Sequence, residues 1–127
     1  METKVSVLIV DDDETFCRFL AETLEVNEMQ AEWTTDGFEG YEKSLDRDYD
    51  LYIVDVRMPL VFGTELAEDI RADKPDAKII LISAFPDNEL ERLSKKLNVS
   101  LLSKPFPPGR LMQEVARILG ENCYADE

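Results

Sequence analysis

Five short apolar runs alternate along the chain with stretches whose apolar residues recur at helical spacing. The first run, Val5 to Val10, stops abruptly at Asp11-Asp12-Asp13-Glu14. Unbroken apolar runs of this length predict strands covered on both faces. From Glu14 the period changes: Phe16, Phe19, Leu20, Thr23 and Leu24 share a helical face, with Asp13 as N-cap and an end near Asn27. Met29 to Thr35 alternates Ala31 and Trp33 with Gln30 and Glu32, which predicts a half-buried strand at a sheet edge. Asp36-Gly37 turns the chain. Phe38, Tyr41 and Leu45 then mark a short helix before the charged loop Asp46 to Asp50. Leu51 to Val54 predicts the third strand, which ends on Asp55 because Met58-Pro59 cannot continue a ladder. Leu66, Ala67 and Ile70 give a helix over Glu65 to Asp73, stopped by Lys74-Pro75-Asp76. Lys78 to Ser83 is the fourth strand, and Leu90, Leu93 and Leu97 mark the helix Asn88 to Leu97. Val99 to Leu102 is the fifth strand, ending at Ser103-Lys104-Pro105. Pro108 opens the last helix, whose inner face is Leu111, Val115, Ile118 and Leu119 and whose end is Gly120 or Asn122. Trp33, Phe19 and Tyr41 are expected in the core.

Five strands alternating with five helices require a parallel sheet with helices on both faces. Right-handed crossovers make a doubly wound, flavodoxin-like α/β sheet of order 2-1-3-4-5 the economical arrangement. No linker, repeat or composition shift marks a second domain, so 1–122 is read as one unit and 123–127 as a frayed tail.

Composition narrows the chemistry. The 127 residues carry a formal net charge of −14, which opposes direct nucleic-acid binding and favours metal cations and basic partners. Hydrophobic residues make up 44% of the chain, enough for a core. No leader, signal segment or bilayer-length apolar run is seen, so a soluble, cytoplasmic protein is expected. There is no histidine, which removes every scheme that needs one as base, ligand or phosphocarrier. Cys17 and Cys123 form no CxxC pair and are read as free thiols, Cys17 near a helix core face.

In the expected order the carboxyl ends of neighbouring strands bring one group of side chains to one edge, where open α/β sheets bind ligands. They are Asp11 and Asp12 from the first strand, Asp55 from the third, Ser83 from the fourth and Lys104 from the fifth. Three crowded carboxylates cannot all stay ionised without a cation, and carboxylate, carbonyl and phosphate oxygens are what Mg²⁺ prefers. A hydroxyl and an ammonium opposite would hold phosphoryl oxygens and neutralise transition-state charge. One carboxylate is left as nucleophile, and Asp55, alone on the central strand, is the best placed.

Val10-Asp11-Asp12, Val54-Asp55-Val-Arg-Met-Pro59 with Gly63, Ser83-Ala84 and Lys104-Pro105-Phe106 together resemble the receiver domain of two-component response regulators over essentially the whole chain. The resemblance implies the same strand order and a set of roles. Asp55 would accept a phosphoryl group from a phosphohistidine on a sensor histidine kinase or phosphotransfer protein. Asp12, Asp55 and the backbone carbonyl of Arg57 would bind Mg²⁺, and Asp11 would act through a water. Ser83 and Lys104 would contact the phosphoryl group, and the Lys104–Pro105 bond would be cis. The protein would be a signalling switch, catalysing only its own phosphorylation and dephosphorylation. The face formed by the fourth helix, fifth strand and fifth helix would dimerise or dock partners.

The chain departs from the family pattern at named places. Leu101 stands where many receivers carry an aromatic switch residue. Arg57 and Phe85 occupy positions that tune acyl-phosphate hydrolysis, and a bulky Phe85 and a cationic Arg57 imply slow dephosphorylation. Leu60-Val61-Phe62 is unusually apolar, as a partner contact or as packing over the fourth helix. Two rivals compete. Asp11-x-Asp13-x-Thr15 also fits the first motif of haloacid-dehalogenase-like phosphohydrolases, with Asp11 as nucleophile and Asp13 as acid/base, but leaves Asp55 and its Pro59 unexplained. A flavodoxin-like carrier needs a hydroxyl-rich phosphate loop where this chain is acidic. An EF-hand fails because Phe16 stands where the loop needs Gly.

Overall fold

All five apolar runs form strands, and all five periodic stretches form helices. The computed structural model describes residues 4–120. The expected tail at 123–127, Cys123 and a helix end at Asn122 lie outside the described residues. In chain order the elements are β1 (Ser6–Val10), α1 (Glu14–Val26), β2 (Gln30–Thr34), α2 (Gly37–Asp46), β3 (Leu51–Asp55), α3 (Gly63–Asp73), β4 (Ile79–Ser83), α4 (Asn88–Leu97), β5 (Ser100–Ser103) and α5 (Pro108–Leu119). The sheet order is β2-β1-β3-β4-β5 and every pairing is parallel. The register places Val10 beside Val54, Asp55 beside Ile82, and Ser83 beside Ser103. The carboxyl ends of β1, β3, β4 and β5 therefore reach the same edge.

Successive strand residues face opposite sides of a sheet, and the core divides accordingly. Val7, Ile9, Leu51, Ile53, Ile80 and Ile82 pack against α1 and α5 through Cys17, Leu20, Leu24, Leu111 and Val115. Leu8, Val10, Tyr52, Val54, Ile79 and Leu81 pack against α3 and α4 through Leu66, Ile70 and Leu90. β3 and β4 are buried at every position, which is why both read as continuous apolar runs.

Side-chain caps start three of the helices. Asp13, Asp36 and Asp87 accept hydrogen bonds from the backbone N–H groups of Phe16, Phe38 and Leu90 at 3.2, 2.9 and 2.8 Å. α4 ends on Asn98 in the left-handed conformation (φ 58°), which Asn adopts more readily than most residues. α5 opens on Pro108.

The inner face of α2 differs from the expected one. Phe38 and Leu45 are 60% and 55% exposed, and the buried positions are Gly37, Gly40 and Ser44. A Cβ at Gly40 would come 2.8 Å from Val10 Cγ2, so small residues let the helix lie directly on β1. Of the three apolar markers only Tyr41 packs on the core, because closeness, not apolar area, is what the contact with β1 needs. Trp33, Phe19 and Tyr41 sit half-buried at the margins of the core. Among the described residues no helix is long and apolar enough to cross a membrane.

Candidate functional site

Each side chain of the site enters where a strand stops. Asp11 follows β1 and is 1% exposed; Asp55 closes β3 and is 6% exposed. Asp12 is exposed at the mouth of the site. One carboxylate oxygen from each of Asp11, Asp12 and Asp55 lies within 4.8 Å of the others. Lys104, just beyond β5, extends its ammonium to 3.1 Å from Asp11 Oδ2 and 3.5 Å from Asp55 Oδ1. Asp11 Oδ1 accepts the backbone N–H of Asp13 at 2.9 Å. Its buried Oδ2 faces Lys104 but receives no aligned hydrogen bond among the described residues.

Electrostatics follow from this crowding. Burial, then the neighbouring charge of Asp11, pushes the Asp55 carboxyl up to about 6, with Lys104 partly opposing. Burial also raises Asp11, against the hydrogen bond from Asp13 and the adjacent Lys104 ammonium. Burial works to lower Lys104, but the adjacent carboxylates of Asp11 and Asp55 prevail and hold it above the usual lysine range. The site thus has more negative charge than one lysine balances. Oxygen donors within 4.8 Å of one another and an under-satisfied buried carboxylate oxygen fit a hard divalent cation.

Gly63 explains why the motif carries a glycine eight residues after Asp55. A Cβ there would sit 1.9 Å from the Asp55 carbonyl oxygen, so only glycine lets the start of α3 pass behind the strand end. Gly63 donates its N–H to Val56 at 2.9 Å, and Arg57 pairs with Phe62 in an antiparallel bridge. The loop between them carries Leu60 at φ 70°, a strained backbone for a side chain with a Cβ. Leu60 and Phe62 are 92% and 61% exposed. Val61 packs beside Gly37 of α2 and against the α3/α4 side of the core.

Ser83 is buried, and its Oγ accepts the backbone N–H of Phe85 at 3.0 Å. That leaves its own hydrogen free to donate. Phe85 is 73% exposed and lines a shallow cleft with Ser83, Arg57 and Thr64. Leu101 is half-buried against the α3/α4 side of the core. The Lys104–Pro105 bond is cis. Asp13, the acid/base of the phosphohydrolase reading, spends its carboxylate on capping α1. Cys17 is a buried free thiol whose pKa burial pushes up to about 12.

One neighbour of the site was read from sequence only as core. The Phe16 ring centroid lies 4.4 Å from Lys104 Nζ. The available signal was its place in the first turn of α1, three residues after the cap at Asp13, beside the same sheet edge.

Comparison with known proteins places the chain. The family described as "Response regulator receiver domain" matches residues 7–116. The response regulator receiver protein CpdR of Brucella abortus is 31% identical over 119 residues, covering 89% of this chain and 95% of CpdR. The transcriptional regulatory protein RprY of Bacteroides fragilis is 32% identical over 120 residues, covering 94% of this chain but 51% of RprY. The chain thus spans nearly all of one relative and about half of the other. The response regulator TrrA of Thermotoga maritima, solved in complex with Mg²⁺-BeF, superposes with a TM-score of 0.83 at 32% identity, covering 92% of this chain and 100% of TrrA.

Proposed function

The chain belongs to the response regulator receiver domain family of two-component systems, a family of signalling switches, and we propose that Asp55 is the residue on which its phosphoryl group is carried. The observation that supports this most is the placement of Asp55: buried at the end of the central strand, among two further carboxylates and one ammonium. A carboxylate oxygen of Asp55 forms the new O–P bond as the P–N bond of a donor phosphohistidine breaks. The imidazole leaves with the bonding pair and takes a proton from water. A sensor histidine kinase or phosphotransfer protein would be the donor.

Asp12, Asp55 and the backbone carbonyl of Arg57 would hold Mg²⁺, with Asp11 reaching it through a water. When bound, the ion neutralises charge on the transferring phosphoryl oxygens. Lys104, already beside Asp55, meets the phosphoryl group with an ammonium N–H. Ser83 donates its hydroxyl to another phosphoryl oxygen and thereby ties the start of α4 to the phosphorylation state. This is self-directed chemistry on the chain's own Asp55, in the cytoplasm, with the α4–β5–α5 face as the surface for a second copy or an effector.

Intact mass after treatment with acetyl phosphate and Mg²⁺ tests the assignment. One phosphoryl adduct is expected on the wild type and on Asp11→Asn at reduced yield, and none on Asp55→Asn. An adduct that persists in Asp55→Asn and disappears in Asp11→Asn would move the nucleophile to the end of β1.

A further inference from the structure

Lys104 reaches across from the end of β5 on a flexible four-carbon stem, yet its ammonium must stay where an incoming phosphoryl group will arrive. Two of its contacts are the carboxylates of Asp11 and Asp55, at 3.1 and 3.5 Å. The third is the face of Phe16, 4.4 Å from Nζ to ring centroid. That ring is itself fixed. It meets Phe106 edge-on at 5.7 Å and an interplanar angle of 76°, and Phe19 at 5.6 Å. Phe106 stands two residues beyond Lys104, so the lysine and the ring that covers it are tied through one aromatic cluster joining α1 to the chain after β5.

We propose that Phe16 is a positioning residue for Lys104: its π face holds the ammonium at the mouth of the site without occupying any of the three N–H donors. A hydrogen-bonding neighbour would consume a donor. An aromatic face attracts the charge over its whole area, so all three donors stay free to be shared among Asp11, Asp55 and an incoming phosphoryl oxygen. The contact needs the ammonium over the ring face but no particular N–H orientation. The ammonium keeps it while exchanging a carboxylate for phosphate, so no intermediate arrangement leaves the charge bare. The ring further excludes water from one side of the ammonium, which strengthens its remaining electrostatic contacts. This inference rests on the reading of Lys104 as the phosphoryl contact.

Two readouts test it in Phe16→Leu, which keeps apolar volume against Phe19 and Phe106 but has no π face, and in Phe16→Tyr, which keeps the face. The first is the rate of reductive methylation of Lys104 in metal-free protein, followed by peptide mass, with exposed Lys78 at the far end of the sheet as reference. The second is the rate of Asp55 adduct formation from acetyl phosphate and Mg²⁺, with and without Lys104→Ala. Phe16→Leu is expected to raise Lys104 methylation and slow adduct formation by about three- to tenfold each, with Phe16→Tyr close to wild type and no further loss when Phe16→Leu is added to Lys104→Ala. Unchanged methylation in Phe16→Leu, or an undiminished loss in the Lys104→Ala background, would overturn the role of Phe16 while leaving that of Lys104 standing. If Lys104→Ala alone forms the adduct at the wild-type rate, the reading of Lys104 falls, and the proposal with it.

Discussion

Phe85 and Arg57 line one cleft with Ser83, Arg57 two residues after Asp55 and Phe85 two residues after Ser83. Phe85 is 73% exposed, so its ring is not spent on the core and remains available to cover a phosphorylated Asp55. Both side chains line the same cleft as Ser83, the residue proposed to contact the phosphoryl group, so their bulk lies beside an approach for water. Removing either bulk opens that approach. Phe85→Ala and Arg57→Ala are each expected to shorten the lifetime of the Asp55 adduct by about threefold, less than 1 kcal/mol of barrier. Loss of the mass adduct with time measures it, and equal lifetimes in all three proteins would remove both side chains from control of hydrolysis.

Between elements, polar side chains act as clasps at the end of the sheet remote from the site. Arg71 of α3 donates to the carbonyls of Leu97, Ala77 and Asn98, and Lys74 donates to those of Ser44 and Arg47. Each binds the end of a neighbouring helix whose last carbonyls have no partner within the helix. On α5, Glu114 is 7% exposed and accepts from Arg117 and Arg110, while Arg117 also bonds Ser100 of β5 at 2.8 Å. The bond from Arg117, against burial and with help from Ser100 and Arg110, holds the Glu114 carboxyl down to about 2. A carboxyl depressed in the folded state stabilises it above the ordinary value of 4.5, and that stabilisation is lost as pH falls through the folded value. Arg117 is largely exposed, so screening reduces the effect to roughly 1–2 kcal/mol. Urea unfolding should show Glu114→Gln less stable than wild type by that amount at pH 7, with the gap closing towards pH 2. A gap independent of pH would mean that packing, not ionisation, is what Glu114 supplies.

Across the whole molecule the net charge of −14 and the site's own crowding act in the same direction. The Asp55 carboxyl, raised to about 6, stays ionised at pH 7 only at the expense of folding. That penalty appears as pH rises above the ordinary carboxylate value and is complete above the folded one, roughly 1–3 kcal/mol in metal-free protein. Asp55→Asn should therefore be more stable than wild type at pH 7 without divalent cations. Mg²⁺ at about 100 times its Kd should raise the wild-type Tm by on the order of 5–10 °C and leave Asp55→Asn nearly unmoved. Thermal unfolding with Mg²⁺ or with chelator reads both, and an equal Mg²⁺ shift in the two proteins would place the ion elsewhere on the acidic surface.

The sequence alone determined the order of elements, the parallel doubly wound sheet and the edge at which Asp11, Asp12, Asp55, Ser83 and Lys104 meet. The elements follow from local physics: apolar runs bury on both faces, apolar residues at helical spacing need one covered side, and a strand that meets an acid or a proline must end. The strand order that sets the edge came from the crossover rule and the family resemblance. Only the tertiary structure decided how α2 sits on β1, since the glycines of that contact carry no hydrophobic signal. Likewise, the reason for Gly63 is a carbonyl eight residues earlier, brought close by the turn of the chain. The pairing of Phe16 with Lys104 joins residues 88 positions apart. An aromatic residue at helical spacing reads as core, and its second role exists only once α1 and the end of β5 are packed side by side.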